Sequence, residues 1–326
     1  MAARSLRLLK TDGPPPRDLA RSLVRRCAFP VPDPDLPPSR LACAVSGGPD
    51  SLALLVLAVE AGLHPVAYQV DHGLRPGSSD EVEVVRRAAS VLAGRLREPS
   101  GGIEVVALRV EVPPGPNLEA RARSARFGVL PPDVATGHTA DDQAETILIN
   151  LLRGAGTAGL AGMRPGPRHP LLALRRAETR AVCREAGLEW VEDPSNRELG
   201  PLRNRVRHQL LPSLAELSGR DPVPILCRQA ELLGDDDTLL ESLAATLDPT
   251  SARELAAAAA PLARRAVRAW LKQVAGSSHP PSAAVVERVL EVARGGPLAC
   301  EVGGGIAVRR RRGRLVVEHD GSPPVR

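Results

Sequence analysis

Ser46-Gly47-Gly48-Pro49-Asp50-Ser51 follows the short apolar run Leu41-Ala42-Cys43-Ala44-Val45 and precedes a helix-length apolar segment, Leu52 to Ala61, closed by Gly62. The order strand, glycine turn, helix puts backbone N–H groups at a helix start. Glycines there let an anion approach the main chain, and the helix dipole adds partial positive charge. The stretch therefore reads as a phosphate site at the top of a parallel sheet. A Walker A loop is excluded, because it needs a lysine directly after its second glycine. The chain has only two lysines, Lys10 and Lys272. The dinucleotide fingerprint is excluded too, since the G-x-G-x-x-G spacing is absent. A plain glycine turn before a helix is the alternative reading.

Working outward, Pro65-Val66-Ala67-Tyr68-Gln69-Val70 reads as a second strand ending at Asp71-His72-Gly73-Leu74-Arg75. Parallel sheets present ligand groups at the carboxyl ends of their strands, so Asp71 and Arg75 are expected beside the glycine turn. Ser78 to Leu96 is helix-like, opened by the capping-box spacing of Ser78 and Glu81. Ile103 to Val110 is a third strand, apolar on both faces as a buried parallel strand requires. Asn117 to Phe127 is a helix carrying Arg121, Arg123 and Arg126. Asp133 to Thr136 is a fourth strand and runs into Gly137-His138-Thr139-Ala140-Asp141-Asp142-Gln143-Ala144-Glu145-Thr146. Acidic residues after a Thr N-cap are ordinary helix-start chemistry. Yet His138 and Asp142 stand four apart, and so do Asp141 and Glu145. One helix turn thus offers an imidazole and several carboxylates where a magnesium ion and an acid–base pair would sit.

Gly159 to Met163 is glycine-rich and reads as mobile, and His169-Pro170-Leu171-Leu172 reads as a fifth strand. Ala177 to Ala186 is helical, and Arg203-Asn204-Arg205-Val206-Arg207-His208 carries three arginines at alternate positions. Beyond Ser213 three helices follow: Ile225 to Leu247, Pro261 to Val274 and Ser282 to Ala293. Glu301 to Val308 and Leu315 to Val317 read as two short strands joined by a basic turn, Arg309 to Arg312 with Arg314. The expected class is α/β: a parallel five-stranded sheet with helices on both faces, plus a smaller, mostly helical C-terminal domain with a short β-hairpin. The expected division is an N-terminal extension at 1–37, a nucleotide-binding catalytic domain at 38–212 and a helical linker with a C-terminal domain at 213–326.

Composition narrows the function classes. Of 326 residues, 43% are hydrophobic and 25% charged, a globular balance. The net charge of +5 suits a nucleic-acid partner. Five scattered cysteines, Cys27, Cys43, Cys183, Cys227 and Cys300, contain no C-x-x-C pair. A disulfide framework and a zinc site are therefore not expected, and a reducing cytoplasm fits. No segment is apolar for 18 residues, so neither a signal peptide nor a membrane span is expected. The only aromatics are Phe29, Tyr68, Phe127, Trp190 and Trp270. RNA binding would therefore lean on arginine–phosphate contacts rather than base stacking.

The hexapeptide Ser46–Ser51 resembles the PP-loop of N-type ATP pyrophosphatases. Four separated segments make the resemblance narrower: the PP-loop, Val70–Arg75, Gly137–Thr146, and Asp193-Pro194-Ser195-Asn196 with Arg203-Asn204. Arg153-Gly154 and Gly159–Met163 follow the same pattern. Over about Arg40 to Pro212, and more weakly beyond, the chain is similar to the tRNA(Ile)-lysidine synthases in their shorter form, with one C-terminal domain. The resemblance implies an adenine nucleotide α-hydrolase-like fold, ATP and Mg2+, tRNA(Ile) and free L-lysine as substrates, and a homodimer. The reaction implied is ligation of lysine to C2 of the wobble cytidine of a CAU anticodon through an adenylated intermediate. This gives lysidine, AMP and pyrophosphate, and a tRNA that reads AUA.

By the same resemblance Ser46, Gly47, Gly48, Pro49, Asp50, Ser51, Asp71, Arg75 and Gly137 would hold ATP. Asp50, His138, Asp142 and Arg203 would be catalytic, with His138 and Asp142 handling the lysine proton. Arg126, Asp141, Glu145 and Arg207 would bind substrate, with Arg126 and Arg203 as candidates for the lysine carboxylate or for charge on the transferring phosphate. Asp50 and Asp141 would hold magnesium. Two rivals are another PP-loop tRNA modifier, such as a cytidine thiolase, and a non-catalytic RNA-binding protein with a relic nucleotide site. The first generally needs paired cysteines; the second has no use for Asp50, Asp141 and Asp142 together.

Overall fold

Four short apolar segments alternate with helices in the first two hundred residues, and that alternation builds a parallel sheet. The computed structural model describes residues 18–31, 39–71, 73, 81–96, 102–112, 115, 118–192, 198–275 and 281–319. His72, Arg75, Ser78, Asn117 and the Asp193–Asn196 segment lie outside the described residues. In chain order come α1 (Asp18–Val24), β1 (Arg40–Ala44), α2 (Pro49–Glu60), β2 (His64–Asp71), α3 (Glu81–Ala93), β3 (Val105–Arg109), α4 (Leu118–Val129) and β4 (Ala135–Thr136). Then follow α5 (Ala140–Leu152), α6 (Thr157–Leu160), α7 (Arg176–Glu185) and α8 (Leu202–Arg205). A π turn (Val206–Leu210) leads from α8 into α9 (Leu211–Ser218) and then α10 (Pro222–Ala244).

The strand order is β3-β2-β1-β4, all parallel. The central element is α2, where Ser51 through Val59 are all buried. A helix that is apolar all round must be covered on every side. Here β1 and β2 lie on one side, and α1, α3 and α7 supply the rest. Leu52, Leu54, Leu55 and Leu57 are each fully inaccessible. Burial of such side chains contributes roughly 1.5–3 kcal/mol apiece, so the glycine turn is mounted on the most firmly anchored helix of this unit.

The described sheet has four strands, not five. The segment expected as a fifth strand, His169–Leu172, coils instead. Pro170 has no N–H to give a ladder, and its carbonyl accepts from Ala28 N–H at 2.9 Å. Leu174 N–H folds back onto Leu171 O at 2.9 Å. The leucines still enter the core, with Leu171 and Leu174 fully buried, which is why the apolar run resembled a strand. The glycine-rich segment expected to be mobile is tied down. Gln143 Nε2 donates to Met163 O and Met163 N–H donates to Gln143 Oε1, both at 2.8 Å, while Asn150 Nδ2 donates to Gly159 O at 2.8 Å.

The chain divides into two compact units between Glu231 and Leu232. The second unit contains α11 (Ala252–Ala257), α12 (Ala260–Ala275), α13 (Ala283–Arg294), β5 (Ala299–Gly303), β6 (Ile306–Arg311) and β7 (Arg314–His319). Ser251 and Ser282 cap α11 and α13, accepting from Glu254 N–H and Val285 N–H. The core gathers Leu255, Val267, Val289, Leu290, Val308 and Leu315. The expected hairpin is a three-stranded antiparallel sheet, β5-β6-β7. Gly303, Gly304 and Gly305 all have positive φ and break the run 301–308 into two strands. Arg309–Arg311 therefore lie in β6, and the turn is Arg312-Gly313. Glu318 on β7 pairs with both Arg309 and Arg311, which lets the basic run sit in a strand. Among the described residues no helix is long and apolar enough to cross a membrane.

Candidate active site

The glycine turn closes on itself through two serines. Ser51 Oγ donates to Gly48 O at 2.8 Å and accepts Ser46 N–H at 3.1 Å. Gly47 has φ +77, a conformation that disfavours any side chain. Gly48 is the N-cap and Pro49 follows at the first helical position, where its missing N–H costs nothing. Val191 N–H donates to Gly47 O at 2.9 Å and pins the turn from outside. Asp50 leaves the first turn of α2 and accepts from Thr179 Oγ1 and, at 3.4 Å, from Arg176 Nε. Burial raises the pKa of Asp50, against the lowering effects of Thr179 and Arg176.

Gly137 meets this turn by packing. A Cβ at Gly137 would lie 2.5 Å from the backbone oxygen of Asp50 and 2.7 Å from its carbonyl carbon. Backbone cannot swing away as a flexible side chain can. Gly137→Ala is therefore expected to cost about 1–3 kcal/mol as overpacking and to displace the first turn of α2. Its expected signature is a Kd for ATP raised more than its melting temperature is lowered in proportion to other one-methyl core insertions. An unchanged ATP Kd in G137A would refute this account.

Four carboxylates and four guanidinium groups meet at the start of α5. Asp142 Oδ2 accepts the N–H and the hydroxyl of Thr139, each at 2.9 Å, completing a capping box. Its other oxygen accepts from Arg176 Nη2 and Arg203 Nη2, both at 2.9 Å. Glu145, completely buried, takes Arg176 and Arg207 on Oε1 and Arg203 and Arg207 on Oε2, at 2.7–3.2 Å. Asp141 is held by Arg175 through two N–H groups at 3.1 Å and by the backbone N–H of Arg176 at 2.8 Å. Burial by itself would raise the Asp142 pKa. The guanidinium groups of Arg176 and Arg203, the Thr139 N–H and His138 outweigh it and hold the carboxyl well below its usual range.

The structure thus brings Asp50, Asp141, Asp142, Glu145, Arg203 and Arg207 into one network, with Arg176 as its hub. Arg175, Arg176 and Thr179 did not stand out in the sequence. One signal was available: two arginines at a helix start oppose the helix dipole, so they need acidic partners from elsewhere. Arg126 on α4 does not join the network. Its Nε is buried without a hydrogen-bond partner, and burial together with Arg123 lowers its pKa. Asp71, at the end of β2, accepts Gly73 N–H at 2.8 Å. Among the described residues no group of three or more His, Cys, Asp or Glu is placed to hold a metal ion. Asp50 and Asp141 already carry donors, so magnesium here would rely on ligand oxygens from bound phosphates.

His138 follows β4 and is half-buried. Its Nδ1 lies 2.6 Å from Thr136 Oγ1, and its ring stands edge-on to His169 at 5.2 Å. Burial pushes its pKa down to about 4, only partly opposed by Asp142 and reinforced by His169. At neutral pH the ring is therefore uncharged. Because the folded pKa lies below the unfolded value of 6.5, stability is complete above that value. It falls as pH drops from about 6.5 to 4, by about 3 kcal/mol. Denaturant unfolding across this range is expected to show a steeper loss in the wild type than in His138→Asn. Parallel pH profiles would contradict the assigned shift.

The site thus combines a helix start suited to an anion, an uncharged imidazole and a carboxylate–guanidinium network. The family of the PP-loop domain matches residues 21–214, and that of the TilS substrate binding domain matches residues 251–316. A tRNA(Ile)-lysidine synthase of Nocardia farcinica is 38% identical, covering 88% of this chain and 94% of its own length. Its counterpart in Mycolicibacterium paratuberculosis is 41% identical over 71% of this chain and 74% of its own. That of Mycobacterium tuberculosis is 39% identical over 71% and 75%. With a PP-loop domain over more than half its length and such relatives along most of it, the chain belongs to the tRNA(Ile)-lysidine synthase family.

Proposed function

We propose that the chain ligates free L-lysine to C2 of the wobble cytidine of tRNA(Ile) bearing the CAU anticodon, consuming ATP and releasing AMP and pyrophosphate. The product tRNA decodes AUA instead of AUG. Membership of the PP-loop family implies ATP use, and the synthase family implies a tRNA substrate. The observation that carries the reading is Arg176. It links Asp50 on the PP-loop helix to Asp142 and Glu145 on α5, which supports treating the phosphate turn and the His138 turn as one site.

In the first step the cytosine 2-oxygen attacks the α-phosphorus and pyrophosphate leaves. The turn Ser46–Ser51 and the N–H groups of the first turn of α2 receive the phosphate charge. Asp50 and Asp141 would meet a magnesium ion arriving on the ATP phosphates only by giving up donors these carboxylates already hold. Such an ion would neutralise charge on the leaving pyrophosphate. In the second step the lysine ε-nitrogen bonds to C2, the C2–O bond breaks, and the oxygen departs with AMP. A lysine amine of pKa about 10.4 must lose a proton, which costs roughly 5 kcal/mol at pH 7. His138, uncharged at that pH, takes the proton as the C–N bond forms and passes it on to water, since burial disfavours a lasting imidazolium even beside Asp142. Arg203 is engaged by Asp142 and Glu145. Arg126, with no ion-pair partner among the described residues, fits the lysine carboxylate or the α-phosphate better.

The thiolase alternative fares worse. Burial raises the pKa of Cys27 and Cys183 to about 12 and of Cys227 to about 11, and also raises Cys43 and Cys300. Sulfur chemistry needs a thiolate. The deciding experiment is incorporation of radiolabelled lysine into total tRNA with and without ATP. ATP-dependent label confined to an isoleucine tRNA is expected. Pyrophosphate release on adding tRNA, without any label, would overturn lysine as the nucleophile.

A further inference from the structure

Thr136 Oγ1 has three partners within hydrogen-bonding distance: the Arg168 carbonyl oxygen at 3.0 Å, His138 Nδ1 at 2.6 Å and His169 Nδ1 at 2.8 Å. A hydroxyl has one hydrogen and two lone pairs. The carbonyl can only accept. All three bonds form together in one way: the hydroxyl donates to Arg168 O, and both imidazoles donate Nδ1–H to the hydroxyl oxygen. If the hydroxyl donated to either histidine, it would face the carbonyl lone pair to lone pair. Thr136 is buried, 7% exposed, where an unmade bond is costly. The edge-on contact of the two rings, 5.2 Å between centroids at 72°, further restricts rotation of His138.

We propose that Thr136 and His169 are positioning residues that hold neutral His138 as its Nδ1–H tautomer, with the lone pair on Nε2. Which imidazole nitrogen carries the proton is set by the hydrogen bond the other atom makes. Resting on the reading above, Nε2 is then the atom that receives the lysine proton, while Nδ1 keeps its own. A free neutral histidine side chain prefers Nε2–H, so this tautomer is a signature of the site rather than of histidine itself. His169 takes part from 31 residues away in the chain, in the segment that failed to become a strand.

The test is 15N NMR of the full-length protein labelled at histidine, at neutral pH and without ligands. For His138 a pyrrole-like Nδ1 and a pyridine-like Nε2 are expected. Thr136→Val is expected to move His138 to the Nε2–H form and to lower the lysine-transfer rate by between about tenfold and about 10⁴-fold, as a wrongly protonated catalytic imidazole does. Thr136→Ser, which keeps the hydroxyl, is expected to retain the wild-type signature. An Nε2–H signature in the wild type would overturn the proposal without requiring any variant to fold. So would an unchanged tautomer in folded T136V. If the tautomer moves in T136V but lysine transfer does not, the positioning role stands and the assignment of His138 as proton acceptor falls.

Discussion

Glu145→Gln is expected to lower folding stability by about 3–5 kcal/mol, the range found when one partner of a buried ion pair is removed. Glu145 is completely inaccessible, and its two oxygens accept from Arg176, Arg203 and Arg207. An amide of the same shape keeps one acceptor oxygen but turns an NH2 group toward guanidinium donors. Three cations would then share Asp142, one amide oxygen and, for Arg176, the longer contact to Asp50. The amide change leaves volume untouched, so cavity formation does not confuse the result. Urea unfolding measures it. A second variant sharpens it: Arg207→Gln in the E145Q background removes the surplus charge and is expected to recover part of the loss, a non-additivity typical of residues in one network. A loss within about 0.5 kcal/mol for E145Q, as at ordinary surface sites, would show that the cluster is solvated and does not organise α5, α7 and α8.

His138→Gln is expected to separate the two chemical steps. Removing a general base costs about 10²–10⁴-fold in the step it serves. Adenylation needs the phosphate turn and its cationic surroundings, which the substitution does not touch. Lysine attack needs a proton acceptor, which glutamine cannot be. Pyrophosphate release on addition of tRNA and ATP should therefore stay within severalfold of wild type, while lysine incorporation falls by the larger factor. Raising the pH toward the lysine pKa should restore part of the lost rate, because more of the amine is then already neutral. Equal loss of both steps would point instead to a structural role for the ring. Full retention of lysine incorporation would remove it from the proton path.

How much of this was legible in the sequence depends on the range of the interaction. The glycine turn was, because Gly47 must adopt a positive φ and Gly48-Pro49 must open a helix, and both demands are local. The buried α2 was, because nine consecutive buried positions leave an uninterrupted small and apolar run. The grouping of Asp141, Asp142 and Glu145 followed from the helix period, but His138, expected on the same helix turn, precedes the N-cap Thr139 and comes from the end of β4. The number of strands did not. Pro170 in the presumed fifth strand was a warning, since proline gives no ladder hydrogen bond, but the buried leucines around it match a strand or a coil equally well. The arginine run 309–312 likewise read as a turn, because its partner Glu318 lies on the next strand.

Local chemistry, written in residue types and spacings of up to four, determined the phosphate turn, the acidic helix start after β4 and the family these segments resemble. Which arginines answer those carboxylates was decided only by the tertiary structure. Arg176 reaches Asp50 across 126 residues, and Arg203 reaches Asp142 across 61. Gly137 is small because the backbone of Asp50 passes against it, and Thr136 meets His169 only because the chain coils at Pro170. Contacts of this kind leave no period in the sequence. They arise when packing around α2 brings distant segments into one poorly hydrated space, where every charge and every hydroxyl hydrogen must find a partner.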